Sequence, residues 1–377
     1  MRDSITVVGM DVHKREIAVA VLRGSEERSE EFAVANTAAG IARLARKLKR
    51  EYGGEVQSCY EAGPCGYVVQ RRLQAHGVGC VVVAPSLVPV KPGERIKTDR
   101  RDARKLAKAL RAGTLTEVHP PTPEVEAVRD LCRCREDLRE DLLRARHRLS
   151  MMLVRRGVVY GQGRAWTKVH RRWLQTITLE HEAERVVFED YLLAVEQLEA
   201  RMAAIGRELE GAAQREPFLA PVGWLRCVRG IDTLTALTIV AELHGFERFT
   251  SARELMAFVG LTPSEHSSGA RRRRGGITKA GNRYVRRLLI EAGWHYRHRP
   301  GVGTVLARRR KSQPSWVIAI ADRAQVRLHR RMMRLVLDRG KHPNTAVTAV
   351  ARELTGFIWA ILSRGQYQHP TDARRVG

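Results

Sequence analysis

Two short apolar runs in the first sixty residues each end on an acid, and that arrangement constrains the fold more than any other feature. Residues 4–10 (SITVVGM) read as a buried strand running straight into Asp11, and 56–60 read as another running into Glu61. Between them, 16–22 (EIAVAVL) and 29–35 offer two more strands, and 37–52 carries apolar residues at helical spacing until Gly53 and Gly54 stop it. A helix near 66–76, a strand at 79–84 ended by Pro85, and a helix from about Asp99 to Leu110 capped by Thr98 complete the series. Strand, strand, strand, helix, strand, helix, strand, helix is compatible with an RNase H-like (RuvC-like) mixed sheet, an antiparallel meander of three strands joined in parallel by later strands through helical crossovers; other mixed folds share the order, so the acids must decide.

That sheet order makes the Asp11 and Glu61 strands neighbours, so both acids project from one edge. Asp99 and Asp102 stand three apart on one face of the last helix. Singly, each acid has an ordinary structural reading, since acids complement the first turn of a helix and commonly end strands. Jointly, four carboxylates converging without lysine partners call for divalent cations, and hard oxygen donors favour Mg²⁺ or Mn²⁺. Such ions polarise a phosphate and stabilise attacking and leaving oxygens. The lone histidines, His13 and His266 among them, read as ordinary polar residues without ligand spacing.

From about Pro120 the texture becomes helical. Val125, Val128, Leu131, Leu138, Leu142, Ala145, Leu149 and Met152 follow three/four spacing within a densely charged stretch, and Val195, Leu198, Met202, Ile205 and Leu209 repeat it. Two long helices that pair as an antiparallel coiled coil are expected, with an irregular basic connection at 157–180; the plainer alternative is a pair of amphipathic helices on a globular core. The expected domains are 1–118, the RNase H-like unit; 119–217, the helical coiled-coil region; and 218–377, a helical C-terminal domain. In the last, a turn at Gly230 before a capped helix resembles a helix-hairpin-helix element, Ser251 and Glu254 form a capping box, and Thr278 offers a cap to a helix carrying Tyr284 and Leu288.

The chain's charge names the class of partner. It has 67 Lys and Arg against 41 Asp and Glu among 377 residues, a formal net charge of +26. A polyanion is needed to neutralise such a surface, and nucleic acid is the default. No membrane partner is expected, because no apolar run approaches the roughly 20 residues of a span. The N-terminus lacks the apolar stretch of a signal peptide, and the six cysteines lack CxxC spacing, which fits reduced thiols in the cytoplasm. The loop 261–278 (LTPSEHSSGARRRRGGIT) concentrates the charge: Ser267 and Ser268 precede Gly269 and the run Arg271, Arg272, Arg273 and Arg274, with Lys279 and Arg283 just beyond. A serine there could attack a phosphate held by the arginines, or the loop could simply grip phosphates. Spacing alone leaves both open.

The segments GMDVHKREIAVAVL, YEAGPCGYVVQRRL and KTDRRDARKLAKAL resemble the N-terminal motifs of the DEDD transposases of the IS-one-ten family of insertion sequences. FVGLTPSEHSSGARRRRGGITKAGNRYVRRLLIEAGW resembles that family's C-terminal transposase motif. The resemblance implies a RuvC-like metal site of Asp11, Glu61, Asp99 and Asp102, with Ser268 as nucleophile and Ser267 as the alternative within the doublet. It implies excision and integration of DNA by transesterification, a structured noncoding (bridge) RNA as guide, and a homo-oligomer, dimer or tetramer, in which the acids of one subunit meet the serine of another. Two rivals remain from the residues alone: a metal-only junction-resolvase-like endonuclease that survives loss of Ser268, and a non-enzymatic nucleic-acid-binding protein for which divalent metal is dispensable.

Overall fold

The computed structural model describes residues 5–52, 55–89, 98–265 and 273–368. The chain divides into two compact units, Met1–Pro120 and Pro121–Gly377.

The first unit is a six-stranded mixed sheet with helices on both faces. Strands β1 (Thr6–Val12), β2 (Glu16–Arg23) and β3 (Glu30–Ala35) form the antiparallel meander, and α1 (Ala38–Tyr52) crosses back to β4 (Val56–Glu61), which lies parallel to β1. Helix α2 (Val68–Ala75) leads to β5 (Gly79–Val83), parallel to β4. Helix α3 (Asp99–Arg111) and a two-residue edge strand β6 (Glu117–Val118), which the sequence pattern did not reveal, follow. The order β3-β2-β1-β4-β5-β6 is that of an RNase H-like domain.

Period-two alternation sorts the two faces. Val8, Met10, Val19, Val21, Tyr60 and Val82 pack with Ile41, Leu44 and Leu48 of α1 and Val69 and Leu73 of α2. On the opposite face Val7 and Leu22 meet Ala107, while Cys59 and Val83 meet Leu106, so α3 packs on that side, with Val88 and Leu115 beside it.

The second unit begins with α4 (Pro123–Arg155), started by the Thr122 cap and Pro123. The connection expected to be irregular contains α5 (Lys168–Gln175), capped by Thr167, and packs Leu174 and Leu179 against Leu149, Met152 and Leu153. Helix α6 (Glu182–Ala212) returns antiparallel to α4: Leu142 and Ala145 pack on Val195, and Arg156 reaches Glu184. Val125 and Cys132 near the start of α4, and Leu209 near the end of α6, belong to the same hydrophobic core as the C-terminal helices. The helix pair is therefore rooted in the second unit rather than separate from it.

That core is built by α7 (Leu219–Leu225), α8 (Thr233–Leu243), α9 (Ala252–Phe258), α10 (Arg283–Gly293), α11 (Thr304–Arg310), α12 (Ser315–Met333) and α13 (Pro343–Gln368). Gly230, at φ 84°, turns the chain between α7 and α8. Helix α13 passes the length and composition test for a membrane span over Pro343–Gly365, which the sequence reading had not anticipated. Half of that window is buried within the unit, however, and Val350, Ala351, Leu354 and Ile361 are fully enclosed, so its apolarity serves the core. All six cysteines are free; burial pushes the Cys80 thiol up to about 12 and that of Cys132 up to about 11, which keeps both inert.

Between α9 and α10 the stretch expected as a loop contains a β-hairpin. Strand β7 (Pro263–Glu265) pairs antiparallel with β8 (Arg274–Ile277), with an irregular register. The cap of α10 is Asn282, whose side chain accepts from the Val285 amide at 3.0 Å; Thr278 does not cap it. The reason is the turn Lys279–Gly281, where Lys279 (φ 55°) and Gly281 (φ 73°) are left-handed and no helix can begin.

Candidate active site

Strand alternation turns Val7, Gly9 and Asp11 toward α3. Gly9 decides how close that helix comes: a Cβ there would lie 2.1 Å from the Ala103 carbonyl oxygen and 2.3 Å from the Ala107 amide nitrogen. Ala18, Ala20 and Ala103 make the rest of a small-residue floor. With Ala107 over Val7, the helix runs back along the strand and its first turn ends beside Asp11. Thr98 starts that turn, accepting from the Arg101 amide at 3.4 Å.

Asp99 is thereby brought to Asp11. A third group joins them that sequence reasoning missed: the His13 Nε2 lies 3.3 Å from Asp11 Oδ2 and 3.5 Å from Asp99 Oδ1. Ligand atoms of Asp11, His13 and Asp99 all lie within 4.8 Å of one another. His13 is thus not an ordinary isolated polar residue. It sits in the β1–β2 turn, fixed by its amide to the Glu16 carbonyl at 2.9 Å and by Asn36 Nδ2 to its own carbonyl at 2.8 Å. The only sequence signal was the spacing Asp11-Val12-His13, which places both side chains on one face of an extended strand.

Glu61 comes from the neighbouring strand. Met10 is in register with Tyr60, so Asp11 and Glu61 follow side by side. Cys59, two residues earlier on the same face, donates to the Leu106 carbonyl of α3 at 3.7 Å, which shows that this face of β4 looks toward α3. Asp102 stands one turn beyond Asp99 and is near enough to Asp11 to influence its charge. Glu61 and Asp102 flank the tight trio and are not part of it.

Burial and like charge crowd the trio. Burial raises the Asp11 carboxyl above the ordinary carboxylate range, His13 opposes that rise, and Asp99 and Asp102 add to it. Asp11 is only 24% exposed, whereas Asp99 is 66% exposed, so one ligand is anchored and the other faces water. A donor set of carboxylate oxygens and one imidazole nitrogen fits a divalent ion of the Mg²⁺ or Mn²⁺ type, with the nitrogen favouring the softer of the two. His13→Ala is expected to weaken Mn²⁺ binding by at least about tenfold, since loss of a donor atom costs no less than loss of a group that merely supports one, and Mg²⁺ binding less. Isothermal titration with each ion checks this.

In the second unit, Ser267, Ser268, Arg271 and Arg272 lie outside the described residues. Arg273, Lys279 and Arg283 are exposed, and Arg283 stacks over the Tyr284 ring at 4.9 Å. The hairpin's neck is built closely. Lys279 donates its amide to Gly260 at 3.1 Å, and Asn282 donates to Phe258 at 3.0 Å. Gly281 (φ 73°) leaves no room for a Cβ, which would lie 2.0 Å from the Phe258 carbonyl oxygen. Arg286 fastens both sides, donating to the Val259 carbonyl at 2.9 Å and the Ala280 carbonyl at 3.1 Å. Behind it, the enclosed Glu242 accepts from Arg133 at 2.7 and 2.9 Å and from Asn282 at 2.7 Å. Sequence reasoning did not single out Arg286, Glu242 or Arg133, because each acts through a partner distant in the chain. Arg286→Ala is expected to destabilise the second unit by about 1–3 kcal/mol, because it removes two hydrogen bonds and leaves the partly buried Val259 carbonyl without this donor. Urea unfolding measures it, with Mg²⁺ affinity unchanged.

An RNase H-like sheet with carboxylates gathered at the ends of two neighbouring strands, joined to a helical domain in a chain of strong positive charge, is an arrangement suited to a protein that acts on nucleic acid. Comparison with known proteins agrees at finer grain. The DEDD transposase model of the IS110 type matches residues 8–156, and the model described as the transposase IS116/IS110/IS902 family matches 224–307. The putative transposase y4qE of Sinorhizobium fredii is 40% identical over 356 residues, covering 94% of this chain and 87% of that protein. The transposase for insertion sequence element IS1533 of Leptospira borgpetersenii is 35% identical over 339 residues, covering 89% and 97%. The chain belongs to this family and is a transposase, an enzyme class that acts on DNA.

Proposed function

We propose that the protein excises and integrates an insertion sequence by metal-assisted transesterification, with Ser268 as nucleophile and Asp11, Glu61, Asp99 and Asp102 as the acid set. The observation that carries the reading is the meeting of β1, β4 and the first turn of α3 at one sheet edge, with Asp11, His13 and Asp99 within ligand reach of one another. A divalent ion bound there, Mg²⁺ or Mn²⁺, would supply charge neutralisation at a scissile phosphate. Asp11 from the sheet, His13 from the turn after it and Asp99 from the helix would hold such an ion, with Asp102 and Glu61 adding negative charge around it.

In the proposed step the Ser268 oxygen forms a bond to phosphorus as the bond from phosphorus to one sugar oxygen breaks. The serine proton leaves and the departing sugar oxygen takes one up. The phosphoserine diester conserves the bond energy, so attack by a second strand's hydroxyl rejoins DNA and restores the serine. Arg271, Arg272, Arg273 and Arg274, with Lys279, Arg283 and Ser267, are assigned to holding the phosphates of the strand. The net charge of +26 supports binding of a guide RNA as well as DNA. The α4–α6 pair is assigned to assembly of a dimer or tetramer, supported by exposed Leu143, Val154, Val186 and Leu193 along it.

The test is a covalent-adduct assay with labelled element-end DNA, the noncoding RNA encoded beside the gene, and Mg²⁺, run on a denaturing gel. Ser268→Ala is expected to remove the protein–DNA band, a loss of about 10⁴-fold or more, while Ser267→Ala retains it. Cleaved DNA without an adduct, unaffected by Ser268→Ala, would establish the metal-only endonuclease instead.

A further inference from the structure

Helix α12 carries a stripe of arginines that neither acid site nor serine hairpin uses. Its buried face, Val317, Ile320, Ala324, Leu328 and Met332, packs into the core of the second unit. The opposite face presents Arg323, Arg327, Arg330 and Arg331, and Arg334 continues it in the wide turn Arg334–Asp338. Together with α13 they line an open groove of about 910 Å³.

Most of this charge is not neutralised within the protein. Among the described residues, two carboxylates line the groove. Asp322 is already paired with Arg310 at 2.7 Å, and Glu353 of α13 pairs with Arg327 and, at 3.1 Å, with Arg331. Among the described residues, no carboxylate lies within 4 Å of Arg323, Arg330 or Arg334, and all three are exposed. Glu353 acts as a spacer that fixes the two middle guanidinium groups; even so, Arg327 stays 72% exposed. A solvated basic face needs no groove and no such bracing, and guanidinium groups concentrated this closely repel one another unless an anion spans them.

We infer that this groove is a track for a sugar–phosphate backbone, separate from the serine hairpin. Arg323 to Arg334 spans eleven helical steps, about 16 Å at 1.5 Å per residue. Successive phosphates of one strand are separated along the backbone by more than their axial rise of about 3.4 Å, so a stripe of this length reaches a few consecutive phosphates, not one alone. The contacts are to phosphate and not to base edges, so the track supplies affinity and register without sequence preference. It rests on the reading of the chain as a transposase that holds long nucleic acid while acting at one point of it.

The test is the salt dependence of binding of the full chain to two probes, a long random-sequence RNA and a long random-sequence DNA duplex, measured by fluorescence anisotropy. The triple variant R323Q/R330Q/R334Q removes three unpaired charges. The slope of log K against log salt is expected to become shallower by about 0.9 per lost contact on duplex, or about 0.7 on single strands, hence by between two and three in all. A shift with only one probe assigns the track to that nucleic acid. The triple lysine variant keeps the charge and is expected to keep the slope. R323Q and R334Q, at opposite ends of the stripe, are each expected to remove about one contact, which guards against a triple variant that folds poorly. An unchanged slope with both probes, or equal loss in the lysine variant, overturns the inference. Adduct formation by the unaltered protein is scored separately: a shallower slope with no adduct from any form would sink the serine mechanism and leave the track standing.

Discussion

Asp11→Asn is expected to lower DNA cleavage by about 10³-fold and, in the same protein, to raise thermal stability in metal-free buffer. The two effects share one cause. Asp11 is more enclosed than Asp99 or Glu61, and burial together with Asp99 and Asp102 lifts its carboxyl above the ordinary range. A carboxyl raised by folding costs nothing while protonated in both states. As pH climbs through the raised value its ionisation opposes folding, because the unfolded chain carries the charge more easily. Asparagine cannot ionise, so the gain in melting temperature is present at neutral pH and disappears in acid, where the aspartic acid is itself neutral. The activity loss follows from the same position. The anchored oxygen that would hold a divalent ion against the sheet is gone, and stabilisation of charge by such an ion is worth several kcal/mol, with each 1.36 kcal/mol equal to a tenfold change in rate. Cleavage assays paired with melting curves across pH, with and without Mg²⁺, measure both. A variant that lost stability at neutral pH would contradict the account of Asp11 as a strained ligand.

Gly9→Val, by contrast, is expected to damage the fold itself, without altering any charged residue. The new side chain meets the backbone of α3 at Ala103 and Ala107, which cannot rotate aside as a side chain would. The helix must lift from β1. Overpacking of this kind costs about 1–3 kcal/mol, and the displacement carries Asp99 and Asp102 away from Asp11. A misplacement of about 1 Å in a catalytic group costs about 10²-fold in rate. Chemical unfolding and Mn²⁺ titration on the same variant separate the two losses. A protein of unaltered stability and metal affinity would show that α3 does not rest on Gly9 as described.

Parts of this architecture are written locally in the chain. The strands and helices of the first unit follow from alternation at period two and recurrence at three and four, with Thr98 and Thr122 capping the helices they precede. The capping box at Ser251 is present, though Glu254 reaches back to the Thr250 amide and hydroxyl, one residue earlier than the usual partner. Where the pattern failed, the deciding contact was remote or the element too short for periodicity to register. Strand β6 spans two residues, and the β7–β8 hairpin hides in a stretch of glycine, serine and arginine that reads as loop. Helix α10 is capped at Asn282 instead of Thr278 because two left-handed residues intervene.

The sequence by itself determined the order of elements, the parity that puts Asp11 and Glu61 on one face, the placing of Asp99 and Asp102 in a first turn, and the excess of positive charge. These depend on neighbours within a few residues, so a linear pattern encodes them. Only the tertiary structure decided that His13 joins Asp11 and Asp99, that Gly9 sets the approach of α3, that Arg286 closes the neck of the hairpin, and that five arginines of one helical stretch line an open groove. Each of these depends on the distance between backbones far apart in the chain, which packing of the two cores fixes and no local periodicity records.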